Sequence, residues 1–141
     1  MAAEFQSPEE LREVMDKTFA LMSEDEEMGP KLRDANVPQR FEFSDMDLVV
    51  NVRAAREGEE GNLHWEWSDS VDWEPKVRMT MSSETANKYF QGKENVAMAI
   101  ARRRIKAGGD VKAALALIPI TKPLYARYRD MLEADYPHLL A

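Results

Sequence analysis

The residues able to do chemistry are few and scattered. The chain holds two histidines and no cysteine, too few soft ligands for a zinc site. His64 sits in the run Leu63-His64-Trp65-Glu66-Trp67, on the side of an alternating strand opposite its apolar residues. His138 lies in the tail, so neither histidine reads as catalytic. Asp45 and Asp47 invite a carboxylate pair, but Ser44-Asp45-Met46-Asp47 has turn composition, in which an aspartate bonds its own backbone. Gly108-Gly109 falls between a strand pattern and a helix pattern and lacks the rest of a phosphate loop; it reads as a tight turn. Arg102-Arg103-Arg104-Ile105-Lys106 is the one basic cluster. Strand alternation would send Arg102, Arg104 and Lys106 to one face, within reach of acids such as Glu66.

Soft apolar bulk is the more prominent resource. Met15, Met22, Met28, Met46, Met79, Met81, Met98 and Met131 accompany Trp65, Trp67 and Phe90. Such residues fill cores, and methionine also serves walls that adapt to variable ligands. Composition leaves both readings open.

The elements that position these residues follow from local pattern. Ser7-Pro8-Glu9-Glu10 combines an N-cap serine, a proline at the first helical position and a capping-box glutamate. Leu11, Val14, Met15, Phe19 and Met22 then form one stripe, so a helix is expected over about 8–23. Strands are expected at 40–44, from Met46 to Ala54, at 63–67 and at 76–82, each with apolar residues on one face. The polar stretch 56–62 reads as a hairpin loop. Ser82-Ser83-Glu84-Thr85 is expected to open a helix containing Ala86, Tyr89 and Phe90, and further helices are expected from about Asn95 to Ala101, over 111–118 and over 121–134. Gly92 is placed to stop the first in the left-handed conformation. The alternation of Arg103, Ile105 and Ala107 predicts a last strand over 102–107.

The fold class is therefore α+β: a five-stranded sheet with helices covering one face and an apolar cavity between them. The other face, with His64, Glu66, Arg78, Thr80, Arg102, Arg104 and Lys106, is expected to be solvated or to meet a partner. The length fits a single domain over 1–141. A net charge of −7 excludes a general nucleic-acid binder. It also opposes tight binding to anionic lipid, leaving at most transient membrane contact. With no apolar run long enough to span a bilayer, no signal-peptide pattern and no cysteine, a cytoplasmic location is expected. Oligomeric state is not legible.

The run from Met79 through Ser82, Thr85, Tyr89 and Phe90 to Gly92-Lys93-Glu94-Asn95 resembles the sterol carrier protein type-two family. That family reads as a strand, a serine-capped helix and a Gly-Lys-x-Asn turn into a small-residue helix, here carrying Ala97, Ala99 and Ile100. Lys106-Ala107-Gly108-Gly109-Asp110 is similar to the family's next turn, and the stretch from Leu117 to Tyr128 to that of single-domain bacterial members. The resemblance is specific from about 79 to 128 and weaker upstream. It implies non-catalytic binding, and intracellular transfer, of an apolar ligand such as a fatty acid, an acyl-CoA or a sterol-like lipid in an internal hydrophobic tunnel. It implies neither cofactor nor metal.

The expected ligand-binding residues are Leu48, Val50, Trp65, Trp67, Met79, Met81, Phe90, Met98, Ile105, Leu115 and Leu117. Two alternatives stand beside the carrier. One is a protein-interaction or accessory module whose cavity is filled. The other is an enzyme with an inward-facing carboxylate such as Asp45 or Glu66.

Overall fold

The computed structural model describes residues 4–141. The first helix, α1 (Pro8–Glu24), starts where the sequence signals it. The Ser7 hydroxyl accepts the Glu10 N–H at 3.1 Å, and Pro8 occupies the first turn. Its buried stripe is Leu11, Val14, Met15, Phe19 and Met22, joined by Thr18, whose hydroxyl bonds back to the Val14 carbonyl. The acidic run after it is structural at Asp25. This carboxylate accepts the N–H groups of Glu27 and Met28 at 2.9 and 2.7 Å and pairs with Arg127 at 2.7 Å. Those backbone bonds, then Arg127, hold its pKa below the ordinary value, and they turn the chain into α2 (Met28–Ala35).

The sheet comprises β1 (Gln39–Phe43), β2 (Leu48–Ala54), β3 (Leu63–Trp67), β4 (Val77–Met81) and β5 (Ile105–Gly109), in the order β3-β2-β1-β4-β5. All neighbours are antiparallel except the central pair, β1 and β4, which run parallel. The register stacks Trp67, Val50, Phe41, Met79 and Ala107 in one row across all five strands. One face is therefore apolar from edge to edge, and the helices lie on it.

Between β4 and β5 come α3 (Ser83–Phe90) and α4 (Val96–Ala101), capped by the Ser82 hydroxyl and the Asn95 side chain. After β5, the Asp110 carboxylate accepts the Ala113 N–H and opens α5 (Val111–Ala116). Then follow α6 (Ile118–Thr121), with Pro119 in its first turn, and α7 (Leu124–Asp135). A 3-10 turn at Pro137–Leu139 follows. There Leu139 is fully buried, and its carbonyl accepts from Asn87 Nδ2 and Gln91 Nε2. Tyr128 donates to Asn87 Oδ1 at 2.7 Å, and burial pushes that phenol's pKa upward.

Three expectations are corrected here. The last strand starts at Ile105, not Arg102. Arg102 caps α4, and Arg103 adopts a left-handed φ of 62°. The N–H of Arg104 reaches the Ala99 carbonyl and that of Arg103 the Ile100 carbonyl, which is a Schellman closure. Gly108 and Gly109 thus belong to β5 instead of a turn. At Gly109, with φ +78°, an added Cβ would lie 2.3 Å from the Lys76 carbonyl oxygen. The outer face, in turn, is partly covered by the chain itself. Segment 68–76 crosses it, with Asn51 donating to the Ser68 carbonyl and Arg40 to that of Asp69. Asn51 is fully buried as a result.

Candidate functional site

The cavity lies between the apolar sheet face and the helices. Its floor is Phe41, Val52, Met79, Met81 and Ile105, with Leu63 at the β3 side. Phe19 and Met22 of α1 and Leu32 of α2 close one end. Tyr89 and Phe90 of α3 close the other, with Val96 and Ile100 of α4. Leu115, Leu117 and Ile118 complete the roof. The free space among these side chains, mouth included, amounts to about 870 Å³, but the part roomy enough for a water molecule is only about 60 Å³. The cavity is thus a narrow slot.

Polarity in the wall is sparse. The polar lining residues are Gln39, Arg53, Tyr89 and Thr121. Arg53 is committed elsewhere, since both of its terminal nitrogens bond the Glu59 carboxylate at 2.6 and 2.9 Å. The Thr121 hydroxyl is held by carbonyls of its own helix turn. Burial pushes the Tyr89 phenol up to about 12, so it stays neutral. Among the described residues no carboxylate lines the space, which suits an uncharged, apolar occupant.

Of the expected wall residues, Met79, Met81, Phe90, Ile105, Leu115 and Leu117 meet around this cavity. Val50 is fully buried in the core but not in the wall, and Leu48 is half-buried at its margin. Trp65 and Trp67 share the apolar face but lie under α1. Trp65 packs on Phe19 with ring centroids 5.6 Å apart, and Trp67 packs on Phe43 at 6.2 Å. Both indole N–H groups donate to Asp16 Oδ1, at 3.0 and 2.7 Å. Met98 points away from the cavity and is 46% exposed. The pattern instead missed Val96 and Ile100, the adjacent i, i+4 pair on the same helix, and Leu63, which alternation already placed on the inner face.

Most of the candidate chemical groups outside the cavity have structural partners. Asp45 accepts from the Ser83 N–H and hydroxyl at 2.8 and 2.6 Å, tying the β1–β2 turn to the start of α3. Glu66 is exposed on the outer face. His64 Nε2 lies 2.8 Å from the Glu60 carbonyl, and His138 Nε2 lies 2.9 Å from Glu10. Arg104 pairs with Glu94 at 2.6 Å, not with Glu66. Among the described residues no group of three or more potential ligands could hold a metal.

Solved structures share this architecture. The ubiquinone synthesis protein UbiJ-SCP2 superposes with a TM-score of 0.61 at 7% identity, covering 86% of this chain and 95% of its own. Sterol carrier protein 2 from Yarrowia lipolytica, in its apo form, gives 0.55 at 15% identity over 89% and 98%. The stereoselective inverting sec-alkylsulfatase Pisa1 from Pseudomonas sp. gives 0.55 at 17% identity, covering 65% of this chain. The chain spans only 14% of that enzyme. At these identities the likeness is one of fold. No curated protein sequence matches the chain significantly. The family model does match, over residues 16–122, and with the fold and cavity described above the chain belongs to the SCP-2 sterol transfer family.

Proposed function

We propose that this protein is a non-catalytic carrier that takes an apolar ligand into the slot between sheet and helices and passes it on within the cell. The supporting observation is the wall itself. It is largely apolar, its one charged lining residue, Arg53, is paired with Glu59, and thioethers from Met22, Met79 and Met81 line it. Unbranched methionine side chains rearrange at low cost. Fatty acids, acyl-CoA and sterol-like lipids all offer the required surface. Each buried methylene contributes ~0.8 kcal/mol, so a sixteen-carbon chain gains roughly 12 kcal/mol gross. Immobilisation costs ~4–15 kcal/mol; at the low end of that cost about 8 kcal/mol remains, which corresponds to micromolar affinity.

The test is uptake of a fluorescent fatty acid by the delipidated protein beside the variant Met79→Trp. In a carrier the indole occupies ligand space, so uptake falls sharply while the urea midpoint holds or rises. In a filled core it strains its neighbours at a cost of ~1–3 kcal/mol. The slot's small open volume, about 60 Å³, is the one observation favouring an interaction module with a filled cavity. A parent protein that takes up no lipid, together with a destabilised variant, would leave that module standing and end the carrier reading.

A further inference from the structure

We infer that the outer face of the sheet carries a second binding site, a polar recess under segment 68–76 that takes the ammonium group of a small amine. Its floor is Asn51 and Arg53 of β2 with Glu66 and His64 of β3, paired across the strands as Asn51 with Glu66 and Arg53 with His64. Asp72 and Trp73 of the crossing segment form its other wall. Arg53 borders both this recess and the apolar cavity. The open space is about 220 Å³, several times the ~30 Å³ that one water takes in the liquid.

The chemistry of the occupant follows from what the recess leaves unpaired. Asn51 is fully buried, and its Oδ1 is the one buried side-chain polar atom among the described residues with no hydrogen-bond partner. The amide is not free to turn over. Its Nδ2 donates to the Ser68 carbonyl at 2.8 Å, and a carbonyl can only accept. Oδ1 therefore calls for a donor, because a buried acceptor left without one carries its full desolvation cost. The basic groups of the floor are already engaged. Arg53 bonds the Glu59 carboxylate with both terminal nitrogens. His64 Nε2 lies 2.8 Å from the Glu60 carbonyl, and its Nδ1 lies 4.0 Å from Glu59. Glu66 and Asp72, by contrast, are exposed and have no ion-pair partner among the described residues. Only Arg56, exposed at the rim, opposes them. One amide oxygen and two carboxylates make three acceptor groups, and an ammonium has three N–H donors and no acceptor. Trp73 adds an aromatic wall, which favours a cation. An anion would meet two carboxylates and the lone pairs of Oδ1. An uncharged alcohol supplies one donor only.

The test is calorimetric titration of the full chain with butylammonium, butanol and butyrate, with the Asn51 side-chain amide resonance followed by NMR. The expected result is saturable binding of butylammonium alone, with the Asn51 resonance shifting along the same isotherm. Glu66→Gln and Asp72→Asn should each weaken it roughly two- to fivefold, and Trp73→Leu by about as much. Asn51→Leu should abolish it. Should that buried change disturb folding, as judged by circular dichroism, the exposed Glu66→Lys carries the same test. Glu133→Lys on α7 changes net charge as Glu66→Lys does and should leave binding intact. No saturable binding, or an unmoved Asn51 resonance, makes water the only occupant and overturns the inference. Equal binding of butanol or butyrate overturns it as well, and so does equal loss in the Glu133→Lys control. Tighter binding of a lysine-containing peptide than of butylammonium would overturn the assignment to a small amine in favour of a protein side chain. Fatty-acid uptake concerns the other face of the sheet, so its success or failure leaves these outcomes untouched.

Discussion

Asp16→Ala should cost more than any other single exposed-helix substitution in α1, because one carboxylate oxygen serves two indoles. Trp65 and Trp67 donate to Asp16 Oδ1 at 3.0 and 2.7 Å. Removing the acceptor leaves two N–H groups without a partner beneath a helix. Each unsatisfied donor costs ~1–3 kcal/mol, and both tryptophans are half-buried, so water reaches them in part and the lower half of that range applies. The expected loss is about 2–4 kcal/mol. For a chain of 141 residues, this corresponds to a fall in Tm of roughly 6–14 °C. Asp16→Asn keeps an acceptor oxygen but loses the charge, which roughly doubles the strength of such bonds, so about half the loss should remain. The assay is thermal and urea unfolding followed by circular dichroism and tryptophan emission. Trp67→Phe should cost less in the Asp16→Ala background than in the parent, with a coupling of ~0.5–3 kcal/mol. An Asp16→Ala protein within about 0.5 kcal/mol of the parent, or strict additivity with Trp67→Phe, would refute the shared-acceptor account.

Gly109→Ala should destabilise strongly, because its Cβ meets the backbone of Lys76 at 2.3 Å. Gly108→Ala, with nothing within 4 Å, should stay within about 0.5 kcal/mol by urea unfolding. The Glu59 carboxyl is lowered from 4.5 to about 2, first by its bond to Arg53 and then by the Arg56 N–H. A depressed acid stabilises the fold above its unfolded pKa and loses that contribution as pH falls through the folded value. The urea midpoint should therefore decline between pH 4.5 and about 2, and Glu59→Gln should flatten that part of the profile. Tyr128→Phe orphans Asn87 Oδ1 and should cost about 1–2 kcal/mol by the same assay.

The fold was legible where local rules suffice. Ser7 and Ser82 each cap the helix that the sequence assigns to them, since an N-cap needs only a short polar side chain at the right step. Alternation placed the inner faces of four strands because a strand has one period. At 102–107 the same rule failed, because an arginine takes the left-handed position usually filled by glycine or asparagine. Alternation also gives the face of a strand but not which helix lies over it. Trp65 and Trp67 therefore point inward yet meet α1 instead of the cavity. In α4, six residues are too few to fix the phase of an apolar stripe, so local pattern does not separate the exposed Met98 from the wall residues Val96 and Ile100. The crossing of segment 68–76 over the outer face depends on long-range strand order, which no local pattern records.

The parallel alignment of β1 and β4 bears on how the chain reaches this state. Their side chains meet across a separation of 38 positions, as between Glu42 and Thr80, whereas β1, β2 and β3 follow one another as neighbours through short turns. Loop-closure entropy must be met before the central pair can repay it. The three-stranded meander β1-β2-β3 can therefore form early, but β4 cannot dock until the chain has swung across the sheet. The bond from the Lys76 N–H to the Pro38 carbonyl, at 2.8 Å, ties the start of β4 to the start of β1 once it has docked. Refolding should thus be limited by one late joining event, with the edge of β1 exposed until it occurs.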